Sequence, residues 1–268
     1  EWLASAQCVL APSAEIAHLL ASTLRLGADR IHLAPAAATV SEPASAEGLG
    51  RVAHRIAGAG YVLCPCSGDI RGNLANALRA YSGLPVTLRH RLPLVVACSL
   101  SPDETCYYYD RASELGIEQD LVIADPGSPA GRQDLIGHAS LLWSSRRYDG
   151  LGIDLLDAAA CGTPCVATSA SPAAARAGAL AVVEPDDTAG MTQALLRALA
   201  PSSLAPVAAP PVASVPPYAA SGEAHWQAYS QAASPGQPRA SARSESPDRP
   251  LRAAFSSRPE RPSRSPSW

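Results

Sequence analysis

Asp149-Gly150-Leu151-Gly152-Ile153-Asp154-Leu155-Leu156-Asp157-Ala158-Ala159-Ala160-Cys161-Gly162-Thr163-Pro164-Cys165-Val166-Ala167-Thr168 is the stretch on which the reading of this chain turns. It spells a glycine-flanked turn, a short helix of small residues, a second turn at Gly162-Thr163-Pro164 and an apolar strand. Gly150 and Gly152 let a ligand approach the backbone closely, because neither carries a Cβ. The start of the helix leaves N–H groups free for anionic or hydroxyl-rich ligands. Asp149 and Asp157 frame this unit, and Asp157 falls about one and a half turns into the helix, near enough to share the cleft. The stretch predicts a ligand floor.

Apolar runs suited to strands surround it: Tyr61-Val62-Leu63-Cys64, Leu94-Val95-Val96-Ala97-Cys98, Leu121-Val122-Ile123-Ala124, Leu141-Leu142-Trp143, Cys165-Val166-Ala167-Thr168 and Ala181-Val182-Val183. Helical patterns over 73–81, 103–115, 132–139 and 191–199 alternate with them. This order predicts an α/β fold over 58–200, a Rossmann-like doubly wound parallel sheet of about six strands with helices on both faces. Such sheets bind ligands at the carboxyl ends of their strands. The motif follows the Leu141-Leu142-Trp143 strand, so Asp149 is expected at that edge.

Nearer the start, Cys8-Val9-Leu10-Ala11 reads as a strand, Ser13 as a helix cap, Gly27 as a helix stop, and Arg30-Ile31-His32-Leu33-Ala34-Pro35 as a second strand. Gly48-Leu49-Gly50-Arg51-Val52-Ala53 matches a dinucleotide fingerprint in letters, but no strand precedes it, so the mechanism that gives the fingerprint meaning is missing.

Composition excludes several classes of function. A formal charge of -3 gives no reason to expect nucleic acid as a partner. The 268 residues include no Lys, and the seven Cys form no Cys-x-x-Cys pair. Cys64-x-Cys66 is too close for an ordinary zinc site, and Asp-x-Asp is absent, so no metal is expected. The cysteines read as buried, reduced thiols of a cytoplasmic protein. No apolar run reaches the roughly 18 residues of a membrane span. The first residue is Glu1 rather than Met, which predicts a fragment or a truncated gene product. After Ala200 the chain reads as a Pro/Ala linker over 201–220, a short helix over 221–233 carrying Trp226 and Tyr229, and a Pro-Ser-Arg tail over 234–268 that is expected to be disordered.

The 149–168 motif resembles the signature of retaining family 4 glycosyltransferases, Glu-Gly-Phe-Gly-Leu-Pro-x-Leu-Glu-Ala-x-Ala-x-Gly-x-Pro-Val-Val-Ala. Here Asp149 and Asp157 replace the two Glu, Leu151 stands for Phe and Asp154 for Pro, while Gly150, Gly152, Ala158, Ala160, Gly162 and Pro164 fit. The resemblance implies the C-terminal, donor-binding half of a GT-B two-domain architecture. Residues 1–40 would then be the end of the first domain and the interdomain crossing, where the family's Asn-Gly hinge has become Ala36-Ala37. The acceptor domain would precede Glu1, which implies an isolated chain without activity.

The implied function is transfer of a hexose from a nucleotide diphosphate sugar, the co-substrate, to a glycan, lipid or protein acceptor. Peripheral membrane association would come through the absent first domain. Asp149 would be the catalytic-site acid that accepts hydrogen bonds from the sugar. The amides of Gly150-Leu151-Gly152-Ile153 would face sugar and phosphates, and Asp157 would take the ribose hydroxyls. The family's phosphate-binding Arg and Lys fall at Cys66 and Gly72. Arg71 could substitute by swinging in, Ser67-Gly68 could supply backbone N–H groups, and a Lys at position 72 would restore a cation. Arg146 and Arg147 read as surface residues. The alternative is a catalytically inactive relative with a structural or partner-binding role.

Overall fold

The computed structural model describes residues 5–39, 49, 56, 60–200 and 218–233. Strand β1 (Val9–Ala11), helix α1 (Ala14–Leu24) and strand β2 (Ile31–Leu33) form a right-sized β-α-β start, with β1 and β2 paired in parallel. Ser13 caps α1, its Oγ accepting the Ile16 amide at 3.2 Å. The helix stops differently from the expectation: Arg25, not Gly27, takes the left-handed conformation at its end, with φ 51°.

The main sheet contains β3 (Val62–Pro65), β4 (Leu94–Ala97), β5 (Leu121–Ala124), β6 (Leu141–Trp143), β7 (Cys165–Thr168) and β8 (Ala181–Val183). All neighbours pair in parallel, in the order β5-β4-β3-β6-β7-β8. The four-residue runs of β3, β4 and β5 are apolar throughout because both faces are covered. Val62, Cys64, Leu94, Val96, Leu141 and Trp143 point into one apolar layer. Leu63, Val95, Ala97, Val122, Leu142 and Ala167 point into the other, so the period of two along each strand feeds two cores.

Helices α2 (Leu74–Ser82), α4 (Pro102–Glu114) and α7 (Thr188–Ala198) supply the first layer. Helices α5 (Pro129–Gly137) and α6 (Ile153–Cys161) supply the second. A short helix, α3 (Val86–Arg91), was not expected, since six residues rich in Arg and His give no apolar periodicity. Two helices begin three residues before their apolar pattern does, because side-chain caps fix their starts. Ser128 caps α5 by accepting the Gly131 amide, and Asp187 caps α7 by accepting that of Gly190. The C-terminal helix α8 (Tyr218–Ala233) likewise starts within the span read as linker. The glycine-rich stretch 48–53, apart from Leu49, the remaining linker residues 201–217 and the tail 234–268 lie outside the described residues.

The strand order reverses direction between β3 and β6, which leaves a crevice outside their carboxyl ends. The segment after β2 reaches the same region, where the Thr39 amide donates to Asp157. Ala36 and Ala38 are buried in the second core, in one cluster with Tyr61 and Leu155.

Candidate functional site

Two loops meet at the carboxyl edge of the sheet, 66–73 after β3 and 144–152 after β6. Asn73 holds them together. It takes a left-handed conformation at φ 58°, and its amide donates to the Ser145 carbonyl at 2.8 Å and the Pro185 carbonyl at 2.6 Å. The Arg147 amide donates to the Arg71 carbonyl at 2.9 Å. Beside these loops a cavity of about 260 Å³ opens over the ends of β3 and β4, lined by Cys66, Cys98, Arg132, Arg146 and Asp154 among others.

Arg132 from the first turns of α5 and Arg146 from the β6 loop reach the cavity through one buried carboxylate. Arg132 Nε donates to Asp154 Oδ1 at 2.9 Å, and Arg146 Nη2 donates to Asp154 Oδ2 at 3.0 Å. Asp154 is the second residue of α6, where the partial positive charge of the helix start favours an anion. Arg132 also donates to Asp157 at 2.7 Å. Burial works against the charge of Arg132, but Asp154 and Asp157 more than offset it and raise its pKa. Arg146 stands 3.6 Å from Asp149, and its buried Nε has no hydrogen-bond partner.

Asp149 is itself largely enclosed, with the Ser144 hydroxyl donating to it at 3.3 Å. Burial pushes its carboxyl above the usual carboxylate range, against the opposing effects of Ser171, Arg146 and Ser144. Thr39, Asp157, Arg132, Asp154, Arg146 and Asp149 thus form one chain of contacts. Three carboxylates face two guanidiniums in it.

The expected site residues lie at this edge, and several of them already have protein partners. Asp157 is fully buried, and both its oxygens are engaged: Thr39 donates its amide at 2.6 Å and its hydroxyl at 2.8 Å, and Arg132 supplies the third bond. A ribose hydroxyl reaches it only by displacing Thr39 or Arg132. Arg71 does not swing in. Its side chain is 66% exposed and its Nε donates to Asp69 at 2.8 Å, while Ser67 also donates to Asp69, so loop 67–71 closes on itself. Gly68 lies in that loop, packed near Glu104 and Leu100.

Gly150 and Gly152 both have positive φ, 55° and 66°, a backbone conformation that favours glycine. Gly152 also lacks room for a side chain, since a Cβ would lie 2.4 Å from that of Ala173. Leu151 is exposed and Ile153 half-buried. Position 72 cannot simply accept a lysine, because a Cβ there would sit 1.9 Å from the Ser67 carbonyl oxygen. Arg146 is not the surface residue its sequence context suggests. It and Arg132 are the cations at the cavity, and sequence reasoning missed both; a charged residue at position 154, in place of the family's proline, was the signal that buried cations stand nearby.

Residues 89–201 match the sequence model of the family described as glycosyl transferases group 1. No curated protein matches the chain by sequence. Among solved structures, sucrose-phosphate synthase from Thermosynechococcus elongatus is similar at a TM-score of 0.69 and 18% identity, over 84% of this chain and 58% of that one. WaaG, a glycosyltransferase involved in lipopolysaccharide biosynthesis, is similar at a TM-score of 0.62 and 18% identity, over 83% of this chain and 58% of that one. A UDP-forming trehalose-phosphate synthase from Burkholderia xenovorans gives 0.63 and 14%, over 85% and 62%. The chain therefore spans less than two thirds of each of these, and at such identities the likeness establishes the α/β fold with its parallel sheet. Among the described residues no helix is long and apolar enough to cross a membrane, and no group of three His, Cys, Asp or Glu side chains could hold a metal ion.

Proposed function

We propose that the chain is the donor-binding part of a retaining glycosyltransferase that moves a hexose from a nucleotide diphosphate sugar. The observation that carries this reading is the cavity over the carboxyl ends of β3 and β4, with Arg132 and Arg146 on its wall. A departing diphosphate gathers negative charge, and fixed cations in a sheltered site favour that charge strongly. Arg146 brings its guanidinium to that wall, with its Nε 3.6 Å from Asp149. Asp149, joined to Arg146, takes the sugar hydroxyls, and Asp157 takes the ribose once Thr39 gives way. The amides of 150–153 face the sugar. A glycan, lipid or protein acceptor, a cytoplasmic setting and any contact with a membrane surface through a further domain rest on the family resemblance alone, as does inactivity of the isolated chain.

A second reading, a relative that no longer transfers sugar, is favoured by Asp154, which neutralises the two arginines at the cavity. Calorimetric titration with UDP, GDP and their hexose conjugates separates the two. Asp149→Ala should weaken binding of the sugar conjugates and leave the free nucleotides almost unchanged. Arg146→Ala should weaken both by about tenfold to a hundredfold, as expected for a hydrogen bond to a charged group. No binding by the parent chain to any of the four would favour the second reading, and equal losses for both ligand types in Asp149→Ala would refute the role of Asp149.

A further inference from the structure

Cys66 and Cys98 are the residues that directly follow paired positions of neighbouring strands. Pro65 stands opposite Ala97 in the parallel register of β3 and β4, and the Cys66 amide continues the ladder by donating to the Ala97 carbonyl at 3.2 Å. Neighbouring strands lie about 4.8 Å apart, within the roughly 4.4–6.8 Å between Cα atoms that a disulfide spans. Both side chains turn into the same apolar layer, and both border the cavity. Their exposures are 8% and 5%, so bulky reagents are excluded while the cavity admits a small one.

From this placement we infer that Cys66 and Cys98 form a dithiol site that hydrogen peroxide converts reversibly into a disulfide at the cavity wall. The other thiols differ in ways that matter. Cys64 is two residues deeper along β3, does not line the cavity, and burial pushes its pKa up to about 11. Burial alone pushes Cys165 up to about 12. Cys106 is exposed on α4, away from the cavity lining.

The two thiols have distinct tasks. The interaction between the two neighbouring thiols lowers the pKa of Cys98 and raises that of Cys66, and Arg146 favours the thiolate from nearby. Cys98 is therefore the attacking thiolate. Its sulfur bonds to one peroxide oxygen, the O–O bond breaks, and the hydroxide released takes up a proton to leave as water. Cys98 is now a sulfenic acid. The Cys66 sulfur then attacks the Cys98 sulfur, the S–O bond breaks, and the hydroxide departs as water with the Cys66 proton. The thiols lose two electrons and the peroxide gains them. Cys66 occupies the position where the resembled family has a phosphate-binding Arg, so the modification falls on the wall of the proposed donor site. The chemistry itself does not depend on nucleotide-sugar binding.

The test treats the full chain, in a Cys106→Ser background, with hydrogen peroxide and maps thiols by peptide mass spectrometry. The background is needed because one tryptic peptide would otherwise carry both Cys98 and Cys106. The expected product is a Cys66–Cys98 linked pair, lighter by two hydrogens and lost on treatment with a dithiol reductant. Cys66→Ser, checked for native circular dichroism, should stop at a Cys98 sulfenic acid that a cyclic 1,3-dione traps. Recovery of both residues as free thiols, or oxidation of Cys98 past the sulfenic acid without any linked peptide in the parent, would overturn the inference. Repeating the nucleotide titration on the oxidised chain then reports on the donor site separately.

Discussion

Asp154 is the residue at which this chain departs most consequentially from the family it resembles. A proline there would leave Arg132 and Arg146 without their shared partner. As an aspartate, it is buried and bonded to both. Removing one member of a fully buried ion pair costs about 3–5 kcal/mol, and the partial exposure of both arginines reduces that figure here. Asp154→Ala should therefore lower the thermal midpoint and at the same time strengthen binding of a nucleoside diphosphate, since it frees two cations at the cavity. Loss of stability with no gain in affinity would show that the arginines serve the fold alone. Asp149 has the opposite balance. Its folded pKa is raised by burial, so the ionised form is penalised in the native state above that pKa and the penalty disappears once the group protonates. Asp149→Asn should then raise the melting temperature at neutral pH, with a gain that fades as pH falls through the raised pKa. A gain that is constant with pH, or a loss at pH 7, would contradict the assignment of burial as the dominant influence.

The strands were legible because both their faces are covered, which leaves an unbroken apolar run between polar loops. Helix starts were less so. The caps at Ser128 and Asp187 precede the apolar pattern, so pattern alone places those helices too late. Helix α3 has no pattern to read, and Arg25 shows that a left-handed stop does not wait for the nearest glycine. The motif's own glycines divide by cause. Gly150 has positive φ but open space, the nearest atom to an added Cβ being in Tyr148 at 3.9 Å, whereas Gly152 has positive φ and the side chains of Ala173 and Ser171 against it. Gly150→Ala should cost only the backbone term, about 1–3 kcal/mol. Gly152→Ala should cost more, because the 171–173 segment must move. Urea denaturation of the two variants measures the difference, and equal costs would mean that the segment yields freely.

At the level of the assembled chain, what sequence could not reveal is contact between distant segments. Arg132 and Asp154 are 22 positions apart, and Thr39 and Asp157 are 118 apart, so neither pairing leaves a local signature. The second contact is the more instructive, because it ties the segment after the β1-α1-β2 unit to the acid proposed for ribose recognition. Ala36 and Ala38 anchor that segment in the core, and the exposed Thr39 then covers Asp157. Thr39→Val keeps the shape and the backbone donor but removes the hydroxyl. A hydrogen bond to a charged group contributes about 1.5–3 kcal/mol, less at an exposed position, so the variant should melt slightly lower. If Thr39 occupies the ribose position, the same variant should bind nucleoside diphosphates more tightly, because one competitor for Asp157 is gone. Asp157→Ala should instead weaken that binding by removing the acceptor and releasing Arg132. Titration of both variants against the parent decides the matter: weaker binding in Thr39→Val as well would mean that the threonine braces the site and that Asp157 acts by holding Arg132 in place.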